Sequence, residues 1–135
     1  MEITRETDYA VRCVLYLSES PEEVKMVDEI SKAKVIPKSF LAKILQKLAK
    51  ADIVRSYRGV KGGFQLAKNP DHISLLDVIE AIDGPVAMNV CALDKKACSL
   101  SNSCVVHPVW IDLRKTVETY LKGYSFARLI RESKK

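Results

Sequence analysis

Three absences narrow what this chain can be. No stretch of the 135 residues approaches the roughly 18 apolar residues of a membrane-spanning helix, and Met1-Glu-Ile-Thr-Arg does not open a secretory signal. The expected setting is the cytoplasm, with no membrane partner. The four cysteines include neither a Cys-x-x-Cys pair nor a closely spaced zinc knuckle, which argues against a thiol oxidoreductase and the common structural zinc patterns. Disulfides are rare in a reducing compartment, so clustered thiols there read as metal-binding or redox groups. No motif signals a substrate pocket, so neither an enzyme nor a small-molecule substrate is expected. The third absence is of acidic charge: from Lys32 to Lys68, ten basic residues accompany one acidic residue, Asp52. That segment carries +9 in a chain of net charge +5, leaving −4 for the remainder. One basic district points to a polyanionic partner, nucleic acid ahead of membrane.

What is present begins with short amphipathic helices. At 47% hydrophobic and 29% charged, the composition is that of a folded domain, not a disordered chain. Ala10, Cys13, Val14 and Leu17 recur at i, i+3, i+4, i+7 and predict a helix over roughly residues 4 to 19, closed by Ser20-Pro21. Cys13 lies on that apolar stripe and reads as a core thiol, separate from the later cysteines. Val27 and Ile30, with Asp28-Glu29 in a first turn, predict a short second helix ending near Ala33. Pro37 suits the start of a third, along which Leu41, Ile44, Leu45 and Leu48 repeat the first spacing. Two short helices joined by a tight turn form a helix-turn-helix. Ser39, Lys43, Gln46, Lys47 and Lys50 mark the polar face of the third helix, and alone that face needs no more than solvent.

The next segment changes the balance. Asp52-Ile-Val-Arg-Ser-Tyr reads as a strand, Arg58-Gly-Val-Lys-Gly-Gly as a turn and Phe64-Gln-Leu-Ala as a returning strand. A basic-tipped hairpin directly behind a helix-turn-helix is a winged helix. The third helix then enters a major groove of double-stranded DNA, while Arg58 and Lys61 reach phosphates or a minor groove. Gly59, Gly62 and Gly63 serve the turn, and also let the backbone approach DNA without a Cβ in the way. After Asn69-Pro70, Ser74 and Asp77 resemble a capping box for a core helix lined by Leu75, Val78, Ile79 and Ile82, stopped at Asp83-Gly84-Pro85.

Cys91, Cys98, Cys104 and His107 then fall in one segment with no helical or strand-like apolar rhythm, closed by Pro108. Irregular segments longer than about 12–15 residues are usually functional or disordered. The gaps match neither zinc knuckles nor plant-type ferredoxins. A long loop can still wrap an iron–sulfur cluster, which needs four ligands, and His107 is the local candidate for the fourth. Asp94, Lys95 and Lys96 read as solvated loop charges. Pro108 begins the last long helix, and Val106, Trp110, Leu113, Val117, Tyr120 and Tyr124 follow a heptad spacing. Packing on its own domain would explain that helix; dimerisation fits better, because helix-turn-helix proteins usually read two half-sites about a twofold axis. Gly123 ends or bends the helix, Phe126-Ala-Arg-Leu-Ile-Arg has apolar character for one more turn, and the last four residues should fray.

The segments Thr7-Asp-Tyr-Ala-Val-Arg12, Ile36-Pro-Lys-Ser-Phe-Leu41, Arg58-Gly-Val-Lys-Gly-Gly-Phe64 and Ser74-Leu-Leu-Asp-Val-Ile79 together resemble the IscR/NsrR family of bacterial regulators, the Rrf-two family. The resemblance covers nearly the whole chain. It implies a winged-helix homodimer that regulates transcription and, with three cysteines in this loop, binds a [2Fe–2S] or [4Fe–4S] cluster, the first being favoured. The matching cysteines are Cys91, Cys98 and Cys104. In the IscR type the fourth ligand corresponds to His107; in some NsrR-type members it corresponds to Asp8, reaching over from the other subunit. The first cysteine gap holds six residues where the common IscR pattern has five. The resulting expectation is a mainly α protein with a small β-hairpin wing: a winged helix-turn-helix domain over 1–84, a cysteine-rich cluster loop over 85–107, and a dimerisation helix with tail over 108–135. Ser39, Phe40 and Lys43 are expected in the DNA groove, with Arg58, Gly59 and Lys61 on the wing. The alternative is a cluster-free winged-helix regulator whose thiols form a redox switch or hold zinc.

Overall fold

The computed structural model describes residues 2–134. Helix α1 spans Arg5–Glu19 and starts where Thr4 accepts the Thr7 backbone N–H at 3.1 Å. Its stripe of Tyr9, Ala10, Cys13, Val14 and Leu17 is buried. Burial pushes the Cys13 thiol up to about 12, since no neighbour compensates a thiolate there. Helices α2 (Val27–Lys34) and α3 (Lys38–Lys50) follow, and Leu41, Ile44, Leu45 and Leu48 of α3 complete the core against α1 and α4.

Two left-handed residues shape the turns. Val35, at φ 55°, ends α2, with the Ile36 N–H donating to Ser31 O at 3.0 Å. Asp52, at φ 60°, ends α3, with the Ile53 N–H donating to Leu48 O at 2.9 Å. Asp52 therefore belongs to the helix stop and not to the strand that the sequence suggested, because a short polar side chain tolerates this conformation. The wing is β1 (Val54–Tyr57) antiparallel to β2 (Gly63–Leu66), with Ser56 opposite Phe64. Lys25 adds a third edge through reciprocal 2.8 Å hydrogen bonds with Phe64. A one-residue bridge carries no periodic signal, so the sequence could not announce it.

Helix α4 spans Leu75–Asp83 behind a complete Ser74–Asp77 capping box. At its other end Asp83 accepts hydrogen bonds from the Thr4 hydroxyl, at 3.1 Å, and from the buried Thr7 hydroxyl. An acidic group is unfavourable at the C-terminus of a helix, but here it faces the N-terminus of α1, where the dipole favours it. This clasp fixes the end of α4, ahead of Gly84 and Pro85, against the start of α1.

The cysteine segment is less irregular than expected: it contains helix α5 (Val90–Leu93) and a 3-10 turn over Lys95–Ala97. Asn89 and Asp94 side chains accept backbone N–H groups at 2.8 and 2.9 Å, so local polar caps hold turns that apolar periodicity does not reveal. Helix α6 spans His107–Lys122 and stops at Gly123. The last segment forms helix α7 (Phe126–Ser133), two turns where one was expected. Phe126 is fully buried in the main core, and its N–H donates to Ile73 O at 2.9 Å. The chain thus returns from α6 to seal α1 and α4.

Candidate nucleic-acid interface and cysteine loop

Ser39, Phe40 and Lys43 all lie exposed on the first turns of α3. Their orientation follows from the buried stripe on the opposite side. Neighbouring charges are already engaged: Lys38 pairs with Asp28 at 2.6 Å and Lys47 with Glu6 at 2.8 Å. The Lys38 hydrogen bond holds the Asp28 carboxyl below its ordinary range. Among the described residues Lys43 and Lys50 make no ion pair, so their charge is available to a polyanion. Phe40 packs edge-on against Tyr9, with ring centroids 5.7 Å apart, which braces an aromatic that would otherwise swing freely in solvent.

Arg58, Gly59, Val60 and Lys61 form the exposed wing tip. Gly59 has φ +104°, which excludes ordinary side chains. A Cβ on Gly62 would lie 2.4 Å from Tyr57 O, and one on Gly63 would lie 2.2 Å from Lys25 O. Those two glycines are thus required by the hairpin and the third strand edge, whatever approaches the wing. Val60, at 96% exposed, adds an apolar side chain to a tip that the sequence marks by its charge. Its signal was positional: an apolar residue between Gly59 and Lys61 has no hairpin partner to cover it.

In the loop, Cys91 is buried on α5, Cys98 and Cys104 are half-buried, and all three are free thiols. His107 opens α6, and its Nδ1 is buried without a hydrogen-bond partner. Asp8 lies exposed on α1 and pairs with Arg12 at 2.9 Å. Three thiols and an imidazole match an iron–sulfur cluster in the number and kind of donors. Among the described residues, however, no three His, Cys, Asp or Glu side chains converge on a common ion position, so ligation requires the loop to draw together. Arg114 links this region to α6: it donates to Ala92 O at 2.6 Å and pairs with Glu118 at 2.9 Å.

The α6 heptad divides between two surroundings. Val117 packs with Leu121 against Leu76, Ile79 and Val86, so part of the expected seam is used within the chain. Leu113 and Tyr120 remain exposed and are joined by Val109, one turn before Leu113, which the heptad reading omitted. Among the described residues no helix is long and apolar enough to cross a membrane.

A helix-turn-helix followed by a basic hairpin, with the lysines of α3 and the wing on exposed surface, defines the winged-helix class of DNA-binding proteins. The family model described as "Rrf2: Iron-dependent Transcriptional regulator" matches residues 3–132. The chain is 36% identical over 124 residues to a protein of Aquifex aeolicus provisionally described as an HTH-type transcriptional regulator, covering 90% of this chain and 86% of that one. It is 34% identical over 132 residues to the HTH-type transcriptional regulator IscR of Aliivibrio salmonicida, covering 96% and 77%. Its fold matches the structure of CymR (YrzC), the global cysteine regulator of B. subtilis, with a TM-score of 0.78 at 22% identity over 98% of both chains. The chain belongs to the Rrf2 family and is a DNA-binding transcription regulator, not an enzyme.

Proposed function

We propose that this regulator is a homodimer whose hold on double-stranded operator DNA depends on an iron–sulfur cluster bound by Cys91, Cys98, Cys104 and His107, with [2Fe–2S] ahead of [4Fe–4S]. The observation that carries the reading is the concentration of three free thiols and a buried, partnerless His107 Nδ1 in one segment. The iron dependence in the family description supports it. When bound, the cluster supplies an iron centre that can be lost, oxidised or nitrosylated. The rest is done by the chain. Arg114 couples α5, which carries Cys91, to α6. The exposed Val109, Leu113 and Tyr120 offer α6 to a second copy, and the twofold sets two recognition helices one DNA turn apart. Asp8 of the partner subunit is the alternative fourth ligand.

Ser39, Phe40 and Lys43 are proposed to meet base edges, and Arg58, Gly59 and Lys61 the backbone or minor groove. With about 6–10 phosphate contacts per dimer, affinity should fall ~10³–10⁵-fold between 50 and 200 mM salt; a nearly flat response would refute this binding mode. Replacing Cys98 by Ala should remove the visible absorbance of anaerobically purified protein while helical content is kept. Retention of the full chromophore would show that the loop is not the site.

A second reading rests on the failure of the four donors to converge. In it Cys91, Cys98 and Cys104 act as redox thiols or hold zinc, with no cluster. Protein that carries zinc or no metal, and still binds DNA in a thiol-dependent manner, would establish this reading in place of the first.

A further inference from the structure

Three serines lie between Cys98 and Cys104, and they differ. Ser99 and Ser103 are exposed, and the Ser103 hydroxyl has a contact with Leu100 O at 3.5 Å. Ser101 is only 6% exposed, and its Oγ is shut off from solvent with no hydrogen-bond partner. The backbone holds it in place: its N–H donates to Cys98 O at 3.2 Å, and the Cys104 N–H donates to Leu100 O at 2.8 Å. A buried hydroxyl left without a hydrogen bond destabilises the fold, because its desolvation is not offset. Among the described residues the Ser101 hydroxyl has no partner, and the other partnerless side-chain atom of the segment is Nδ1 of the proposed ligand His107. These two partnerless atoms lie three residues on either side of Cys104, in the segment that carries the proposed ligands.

We infer that Ser101 is a further residue of the cluster site, where its hydroxyl donates a hydrogen bond to a thiolate or sulfide sulfur of the bound group. This rests on the cluster reading above. It makes Ser101 a tuning residue and not a ligand: the hydroxyl keeps its proton, and no bond is made or broken. A donor to sulfur stabilises the reduced form, which carries the extra negative charge, and so raises the reduction potential.

The test compares wild type, Ser101→Ala and the exposed control Ser103→Ala, each with and without cluster. Loaded anaerobically, Ser101→Ala should keep the wild-type iron content. Its reduction equilibrium should weaken about tenfold, which for one electron is a fall of about 59 mV. Ser103→Ala should not move. Without cluster the sign reverses: Ser101→Ala should unfold at the same or higher urea concentration than wild type, because it deletes an unsatisfied group. An unchanged potential in fully loaded Ser101→Ala would overturn the assignment of Ser101 and leave the cluster reading standing. A clear loss of stability in cluster-free Ser101→Ala would also overturn it, by showing that the hydroxyl has a protein partner. Wild type that takes up no iron would remove the cluster reading and this inference with it.

Discussion

Replacing Val35 by glycine should make the protein more stable, against the usual sense of a substitution to glycine. Val35 ends α2 in the left-handed region, at φ 55° and ψ 56°, where a β-branched residue is a true outlier. That conformation costs an L-residue about 1–2 kcal/mol. Glycine removes the strain but adds freedom to the unfolded chain, which offsets about 0.4–1 kcal/mol. The valine side chain is 78% exposed, so little buried area is lost, and the backbone bond from Ile36 N–H to Ser31 O is unaffected. The balance is a gain of roughly 0.5–1 kcal/mol, from the difference of those two effects. Urea unfolding should show it as a higher midpoint with the slope unchanged. Val35→Asn should gain less, and Val35→Ala least, since each keeps a Cβ. A midpoint at or below wild type for the glycine variant would refute the strain argument.

Phe126→Ala should destabilise by about 3–5 kcal/mol, the range for a fully buried aromatic, although the residue lies near the end of the chain; urea unfolding with a loss below about 1 kcal/mol would show that α7 does not seal the core. Cys13 should resist alkylation in the native protein while Cys98 and Cys104 react, which mass spectrometry after brief iodoacetamide treatment would reveal. Because burial raises the Cys13 thiol from 9.0 to about 12, the native state holds its proton where the unfolded chain has lost it. This contribution to stability is intact below pH 9.0 and is lost as the pH rises toward about 12. The alkaline decline in the unfolding midpoint should therefore be shallower in Cys13→Val, and identical pH profiles would contradict the burial argument.

The core helices were legible because their information is local. Ala10, Cys13, Val14 and Leu17 in α1, and Leu41, Ile44, Leu45 and Leu48 in α3, are the residues that the structure buries. The Ser74–Asp77 box also forms as its spacing implied, because capping depends only on residues three apart. What escaped was decided at long range. The Lys25–Phe64 bridge, the return of Phe126 to Ile73 and the clasp of Thr7 on Asp83 join residues far apart in sequence and leave no periodic trace. The α6 pattern was visible, but its two apolar faces were not separable: Val117 turns to its own chain and Leu113 to the outside, and a heptad count assigns both to one seam. In the loop the sequence pointed out Cys91, Cys98, Cys104 and His107 by their chemistry. It passed over Ser101, since among three nearby serines only burial singles one out.

The central claim is that this loop binds an iron–sulfur cluster, and iron and sulfide analysis of anaerobically prepared wild type, combined with electron paramagnetic resonance of the reduced sample, tests it most directly. The account predicts two irons and two sulfides per chain and a reduced [2Fe–2S] signal that disappears in Cys98→Ala. Protein that binds operator DNA yet contains zinc or no metal, with no such signal, would contradict it.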